Sequence, residues 1–408
     1  MGTVLVARGD EILLNKGFGK ANIGQNSLNG PDTKFRIGSL TKQFTAVLIL
    51  LLQQDGKLHI EDPIRKYLPD APGSWDKITL VDLLGHSSGI PEIQSDPKFR
   101  IWAMSPHTHA EEFILFKNRP LDFEPGTKNQ YSNSNYLVLG AVIEKVTGKD
   151  YGMLLRERIF EPLGMNDSGV DKDGLVLSNR AQGYNNENGR LAPAPSESMS
   201  VPWSAGAIYS TANDLLRWER GLFGGTVISK TSLTAMTTQD RVHHGLGVDV
   251  SMEDGTEVVD HNGAIEGFVC HMAYLPKSNV AVIVLGNVFG GAPPSMGDQL
   301  VETMLGKKVT LASERKSVPI TNEELAKFVG TYSMSNGWTF TFTVKANALL
   351  LNASGQIVPL LYQGVESGHP RFYVPLTNGE VEFVPDSAGA MTTILSHQHS
   401  NELSGKRR

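Results

Sequence analysis

One strongly apolar segment near the amino terminus constrains the fold of this chain more than any other feature. Residues 35–58 read FRIGSLTKQFTAVLILLLQQDGKL, and the apolar run in their middle ends before Asp55-Gly56. A glycine just after such a run is typical of a helix end. Apolar residues occupy every face of this helix, which predicts that it is buried at the centre of a domain. Its longest apolar run, residues 46–52, is far too short to cross a bilayer.

The segments on either side of this helix predict strands of a common sheet. Residues 3–20 predict a hairpin, and residues 244–251, 266–275 and 279–286 predict three strands separated by turn-like segments. Residues 60–220 are predicted to be mostly helical and rich in loops. Strands at both ends of a helical middle favour one antiparallel sheet flanked by helices, which is an α+β fold.

The composition changes near residues 312–324, a polar and charged stretch that resembles a linker or a short helix start. Beyond it, WTFTFTV at residues 338–344 alternates strictly, and further short strand-like runs follow. We therefore predict two domains, residues 1–315 and residues 316–408, of which the second is a small all-β sandwich or barrel. The basic tail at residues 405–408 is predicted to be disordered.

Charge and cysteine content exclude several kinds of partner. The net charge of −6 argues against nucleic acid or an anionic membrane surface. Cys270 is the single cysteine, so neither an internal disulfide nor a cysteine-based metal site can form. The histidines His243, His244, His397 and His399 lack a supporting pattern of carboxylates. We expect no metal, no cofactor and no transmembrane segment, and a small molecule or short peptide as substrate.

Ser39 is the candidate nucleophile, with Lys42 as its activating partner. Ser39 opens the apolar helix, where unpaired backbone N–H groups and the positive helix end lie. Lys42 follows three residues later on the same helix face, and its apolar surroundings favour a lowered pKa. The Ser-x-x-Lys pattern recurs at Ser74, Ser95 and Ser313, but only Ser39 begins an apolar helix.

A rival nucleophile lies at Ser87, in the Gly-x-Ser-x-Gly sequence of residues 85–89. The nucleophile elbow with this sequence needs a strand before it and a helix after it. Here a short helix with Thr79 as N-cap comes first and Ile90-Pro91 follows. We therefore interpret the segment as a structural turn.

Two further segments supply candidate partners for Ser39. Tyr131 and Asn133 project to the same side of a loop before an apolar helix, and a phenol near a lysine ammonium is expected to have a lowered pKa. The Asn133 amide offers a donor and an acceptor to a substrate amide. A helix-capping asparagine and a core tyrosine are the alternative. The second segment is residues 261–264. There Gly263 permits close approach of a substrate, and the Ala264 N–H can face an oxyanion. A plain hairpin turn is the alternative interpretation of this segment.

Taken in order, these segments resemble the penicillin-recognising serine hydrolases, and within them the class C β-lactamase-like group. The resemblance rests on Ser39-Leu40-Thr41-Lys42, Tyr131-Ser132-Asn133 and His261-Asn262-Gly263, and on the similar segments at residues 86–91, 161–165 and 210–215. It covers residues 3–305 and implies an antiparallel sheet flanked by helices, a helical lobe, and an active site at their junction.

The resemblance also implies roles for the motif residues. Ser39 attacks a carbonyl and forms an acyl-enzyme, Lys42 and Tyr131 share the proton transfers, and the N–H groups of Ser39 and Ala264 form the oxyanion hole. Asn133, His261 and Gly263 contact the substrate. Either Lys42 or Tyr131 can be the base of the acylation step.

One departure from the group concerns the substrate. His261 stands where class C β-lactamases carry lysine, which weakens a fixed positive charge for a substrate carboxylate. This favours a D-amino-acid-specific peptidase or a carboxylesterase. A β-lactamase of weak or broad activity and a non-catalytic sensor of peptidoglycan or peptides are the alternatives.

The resemblance bears on the carboxy-terminal domain and on the compartment. The small β domain resembles the lipocalin-like domains of some D-amino-acid peptidases, and it either restricts the substrate or serves as a passive stabilising module. Residues 1–19 predict two strands and not a signal peptide. Family resemblance favours a periplasmic or secreted protein if a leader has been removed, and otherwise a cytoplasmic one.

Overall fold

The structure is a computed structural model that describes residues 1–187, 190–239, 245–311, 314–335, 338–353, 356–375, 379–398 and 401–408. The chain forms two compact units, residues 1–293 and residues 294–408. The domain boundary between residues 315 and 316 stays a prediction. Four residues named above, Ser313, His243, His244 and His399, lie outside the described residues.

The first unit is built on a large antiparallel sheet and several short strand pairs. Its strands are β1 (Gly2–Arg8), β2 (Glu11–Phe18), β3 (Lys20–Asn22), β4 (Ser27–Leu28), β5 (Phe35–Arg36), β6 (Gly169–Val170), β7 (Tyr184–Glu187), β8 (Arg190–Pro193), β9 (Ile208–Ser210), β10 (Asp249–Glu253), β11 (Thr256–Ile265), β12 (Phe268–Leu275) and β13 (Val280–Gly286). The large sheet has six strands in the order β10-β11-β12-β13-β1-β2. Both ends of the unit meet where Val4 of β1 lies opposite Val284 of β13.

This sheet confirms the predicted α+β fold and corrects one part of it. Every residue of β12 and β13 is buried, as their continuous apolar sequences require. The three strands predicted after residue 244 are four, because β11 was not predicted as a strand. Its sequence TEVVDHNGAI mixes polar and small residues and lacks the alternation by which β-strands are recognised.

The helices of the described residues include the predicted central helix, which is the first of them. They are α1 (Thr41–Gln54), α2 (Leu80–Leu84), α3 (Phe99–Trp102), α4 (His109–Ile114), α5 (Asn133–Thr147), α6 (Tyr151–Leu155), α7 (Glu161–Leu163), α8 (Trp203–Gly206), α9 (Ala212–Phe223), α10 (Lys230–Thr237), α11 (Ala292–Met304) and α12 (Asn322–Ala326). In α1 every residue from Thr41 to Leu52 is buried, and α5 and α8 contact it. Helix α9 packs on β1 and β13. In the described part of the chain, no helix combines the length and the apolar character needed to cross a bilayer.

The second unit contains one nine-stranded antiparallel sheet. Its strands are β14 (Gly330–Met334), β15 (Thr339–Lys345), β16 (Ala348–Ala353), β17 (Gln356–Pro359), β18 (Leu361–Glu366), β19 (His369–Val374), β20 (Gly379–Pro385), β21 (Met391–Gln398) and β22 (Asn401–Arg407). Their order is β17-β16-β15-β14-β22-β21-β20-β19-β18. This confirms a small all-β domain. The prediction of a disordered tail is wrong, because β22 pairs with both β14 and β21.

Candidate active site

Ser39 lies in a short 3-10 turn, Gly38–Leu40, immediately before α1. Gly38 has φ of 54°, a left-handed conformation that favours glycine. A Cβ atom at Gly38 would lie only 2.8 Å from the backbone nitrogen of Ala264. The turn that carries the Ser39 hydroxyl is therefore packed directly against the backbone of β11.

Lys42 is fully buried on the first turn of α1. Its Nζ donates to Ser39 Oγ at 3.1 Å, to Asn133 Oδ1 at 2.7 Å and to the Ala205 carbonyl at 2.9 Å. Burial lowers the Lys42 pKa to about 7, against an opposing effect of the Glu92 carboxylate. A substantial share of Lys42 is therefore a neutral amine near neutral pH, with a lone pair that can accept the Ser39 proton.

Tyr131 donates from its hydroxyl to Ser39 Oγ at 2.8 Å. Tyr131 is 45% exposed as a whole residue, and burial nonetheless raises its pKa well above the usual value. The expected lowering of this pKa is wrong. Lys42 Nζ lies over the Tyr131 ring, 4.9 Å from its centroid, and no hydrogen bond joins it to the phenolic oxygen of this described residue.

Asn133 is held from two sides. Its Oδ1 accepts from Lys42, and its Nδ2 donates to Glu92 Oε1 at 3.0 Å. The Asn133 backbone N–H donates to the other Glu92 oxygen. One lone pair and one N–H of the Asn133 amide are left over, so its predicted contact with a substrate amide stays a prediction.

Glu92 and His86 support the site and were missed by sequence reasoning. His86 Nδ1 accepts from the Ser132 backbone N–H at 3.1 Å, and its ring lies 4.5 Å from that of Tyr131. His86 has φ of 60°, which is uncommon for a residue with a side chain. His86 begins the segment at residues 86–91 that carries part of the family resemblance, and Glu92 directly follows it, so that segment was the available signal.

His261, Gly263 and Ala264 lie within β11 and not in a hairpin turn, so that alternative is wrong. Gly263 pairs with Cys270 and Ala264 with Val269 of β12. A Cβ at Gly263 would lie 2.0 Å from the Ile37 carbonyl oxygen, so only glycine fits there.

His261 is 6% exposed. Its Nδ1 lies 2.6 Å from the Asn262 carbonyl oxygen, which assigns the ring proton to that nitrogen. Burial lowers the His261 pKa, with Asp249 opposing, so the ring is neutral at pH 7. This agrees with the weak positive charge expected of His261 in the sequence.

The rival nucleophile is part of a structural turn. Ser87 is fully buried and donates to Asp82 Oδ1 at 2.8 Å. Thr79 caps α2 in a capping box with Asp82, as predicted. Ser95 donates to the Glu92 carbonyl oxygen at 2.6 Å, and Ser74 is exposed in a 3-10 turn.

A cleft of about 500 Å³ opens above Ser39. Tyr131, Asn133, His261 and Ala264 line it together with apolar side chains that include Ile93. Three carboxylates that sequence reasoning did not identify also line this cleft, namely those of Asp249, Glu197 and Glu266.

Fold and cleft together define a class of protein, the serine hydrolases that act on amide or ester bonds. The sequence profile of the beta-lactamase family matches residues 2–302. The chain belongs to the beta-lactamase family, which confirms the resemblance to penicillin-recognising serine hydrolases. The lipocalin-like character of the second unit stays a prediction.

Three proteins show the extent of this similarity in sequence and structure. The chain is 27% identical over 429 residues to penicillin-binding protein 4* of Bacillus subtilis (strain 168), covering 98% of this chain and 94% of the relative. The octameric penicillin-binding protein homologue of Pyrococcus abyssi superimposes with a TM-score of 0.70 at 25% identity, covering 98% and 95% of the two chains. A D-stereospecific amidohydrolase of Streptomyces sp. gives a TM-score of 0.61 at 27% identity, covering 70% and 89%.

Proposed function

We propose that the protein hydrolyses the amide or ester bond of a D-amino-acid derivative through an acyl-enzyme on Ser39. The observation that carries this proposal is the set of hydrogen bonds that converge on Ser39 Oγ from Lys42 and Tyr131. Similarity to a D-stereospecific amidohydrolase supports the D configuration of the substrate. The neutral His261, where a lysine would hold a carboxylate, supports a substrate other than a β-lactam.

Lys42 is the base of the acylation step in this proposal. Its pKa of about 7 makes the neutral amine available near neutral pH, whereas the raised pKa of Tyr131 makes a resting phenolate costly. Neutral Lys42 takes the Ser39 proton as Oγ forms its bond to the substrate carbonyl carbon. The N–H groups of Ser39 and Ala264 donate to the oxygen that becomes negative.

Tyr131 is the acid of the same step. Its neutral hydroxyl gives a proton to the leaving nitrogen or oxygen as the bond to the carbonyl carbon breaks, which leaves a tyrosinate beside protonated Lys42. Water then gives a proton to the tyrosinate as it attacks the Ser39 ester, and Lys42 returns its proton to Ser39 Oγ as the acid product is released. The net reaction consumes one water and forms one acid and one amine or alcohol.

The pKa of Lys42 predicts how labelling of Ser39 by a fluorophosphonate depends on pH. Only neutral Lys42 accepts a proton, so the second-order rate constant should rise about tenfold per pH unit below pH 7 and level off above it. Glu92 and His261 are the other titratable groups that act on Lys42 or respond to it, and burial lowers the His261 pKa from its usual value. Circular dichroism at each pH controls for folding. A flat profile between pH 5 and pH 8 would contradict the role of Lys42.

Covalent labelling with a fluorescent penicillin or a fluorophosphonate tests the nucleophile. We expect labelled wild type, no label on Ser39→Ala, and full labelling of Ser87→Ala as the matched control. Unlabelled wild type would favour the non-catalytic sensor instead.

A turnover panel then tests the substrate. It contains nitrocefin, p-nitrophenyl acetate, a D-alanyl-D-alanine peptide, and D-alanine and L-alanine p-nitroanilides. We expect the D-anilide to exceed the L-anilide in kcat/KM by at least about tenfold. A preference for L, or turnover of nitrocefin alone, would overturn the proposed substrate class.

A further inference from the structure

The side chains that line the cleft carry negative charge, and the buried Lys42 amine is hydrogen-bonded to two of the lining residues, Ser39 and Asn133. Glu197, Asp249 and Glu266 line the cleft, and no lysine or arginine does so among the residues that the structure describes. No hydrogen bond or ion pair joins these three carboxylates to another described residue. Glu197 and Glu266 are half-buried, whereas Asp249 is exposed. Half-buried carboxylates are normally paired, so Glu197 and Glu266 favour a ligand that brings the missing charge.

Glu197 and Glu266 repel one another. Burial raises the Glu197 pKa to about 7, and the like charge of Glu266 adds to this effect. Among the described residues, Arg36 is the cation that lowers the Glu197 pKa. However, its Nε donates to Asp171 Oδ2 at 2.8 Å, so its charge is shared with that carboxylate. A cation placed between the two glutamates would relieve the repulsion.

The position of Glu266 ties this charge to the reacting bond. It follows Ala264 by two residues, in the turn just after β11. Two residues of chain span at most about 7 Å, so the Glu266 backbone lies within that distance of the predicted oxyanion donor. A group attached near the reacting carbonyl of a small substrate can reach it.

His261 independently indicates the same preference. His261 is only 6% exposed, and it lines the cleft. Because Nδ1 is bonded to the Asn262 carbonyl, Nε2 carries a lone pair and has no partner among the described residues. A lone pair accepts from an amine N–H and repels a carboxylate oxygen.

We propose that the cleft selects substrates that carry a positively charged amine, held by the carboxylates of Glu197 and Glu266 while the reacting carbonyl lies at Ser39. This inference rests on the proposed function and narrows it to amine-bearing D-amino-acid derivatives. Substrates that present a free carboxylate at this position are disfavoured by the same charges.

Binding of two matched ligands to the Ser39→Ala protein tests the inference without requiring turnover. Calorimetric titration should give a Kd for D-lysinamide at least about tenfold lower than for its Nα,Nε-diacetyl derivative, which has no charged amine. In Glu197→Gln/Glu266→Gln the ratio should fall to about one to two. Glu11→Gln/Glu257→Gln makes the same change in net charge away from the cleft and should keep the full ratio.

If the double variant does not fold, the single variant Glu266→Gln takes its place. Its ratio of the two Kd values should lie between those of the Ser39→Ala protein and of the double variant. Equal or tighter binding of the diacetyl ligand, or a ratio unchanged by the glutamate variants, would overturn the amine preference. Labelling of wild-type Ser39, measured in parallel, reports on the proposed function separately. Labelled protein without an amine preference would refute this inference alone.

Discussion

Replacement of Lys42 by arginine is expected to lower kcat/KM by about 10³-fold, because arginine cannot give up its proton at accessible pH. The guanidinium keeps the positive charge and can still donate to the acceptors now bonded to Lys42 Nζ. Charge and hydrogen-bond donation are thus retained while the capacity to accept a proton is lost. The measurement is kcat/KM on the best substrate of the panel, with the labelling rate of Ser39 as a second readout.

Lys34→Arg provides the matched control for this substitution. Lys34 is 8% exposed, and its Nζ lies 2.7 Å from Asp167 Oδ1, within an ion pair that arginine can maintain. We expect this variant to keep activity within about twofold of wild type. If Lys42→Arg were labelled at the wild-type rate while folded, the base would have to be another group.

Gly263→Ala is expected to reduce both stability and reactivity. The added methyl group would meet the Ile37 carbonyl oxygen at 2.0 Å, so the backbone of β11 must move away from the turn that carries Ser39. Such overpacking costs at least about 1–3 kcal/mol of unfolding free energy. Because Ala264 follows directly, its N–H should leave the oxyanion position, which lowers the labelling rate about 10²-fold.

Chemical denaturation and labelling kinetics measure these two effects of Gly263→Ala. Gly30→Ala is the control, since a Cβ at Gly30 has no neighbour within 4 Å. A Gly263→Ala protein of wild-type stability and rate would show that β11 does not have to approach Ile37 this closely.

The parts of the fold that could be predicted from sequence are those with a local signal. The apolar run of α1 and the Gly56 that follows its end predict that helix, and the continuous apolar sequences of β12 and β13 predict those strands. Ser39 and Lys42 were found together because helix geometry places residues three apart on one face.

The rest of the site depends on contacts between distant segments. Glu92 reaches Asn133 across 41 residues, and Ala205 meets Lys42 across 163 residues. No spacing rule connects such pairs. The direction of the Tyr131 pKa shift could not be predicted from the sequence either, because it depends on how deeply the hydroxyl is buried in the folded protein.

The tight packing of Gly38 and Gly263 between α1 and β11 has a consequence for how this enzyme can be modified. Ser39 and Ala264 are joined through backbone atoms on both sides, so the attacking oxygen and the predicted oxyanion donor shift as one rigid piece. The side chains of Glu197, Asp249 and Glu266 line the cleft but are not among the atoms in this close backbone contact. Redesign of those side chains can therefore exchange one substrate for another while the distance between nucleophile and oxyanion donor is preserved.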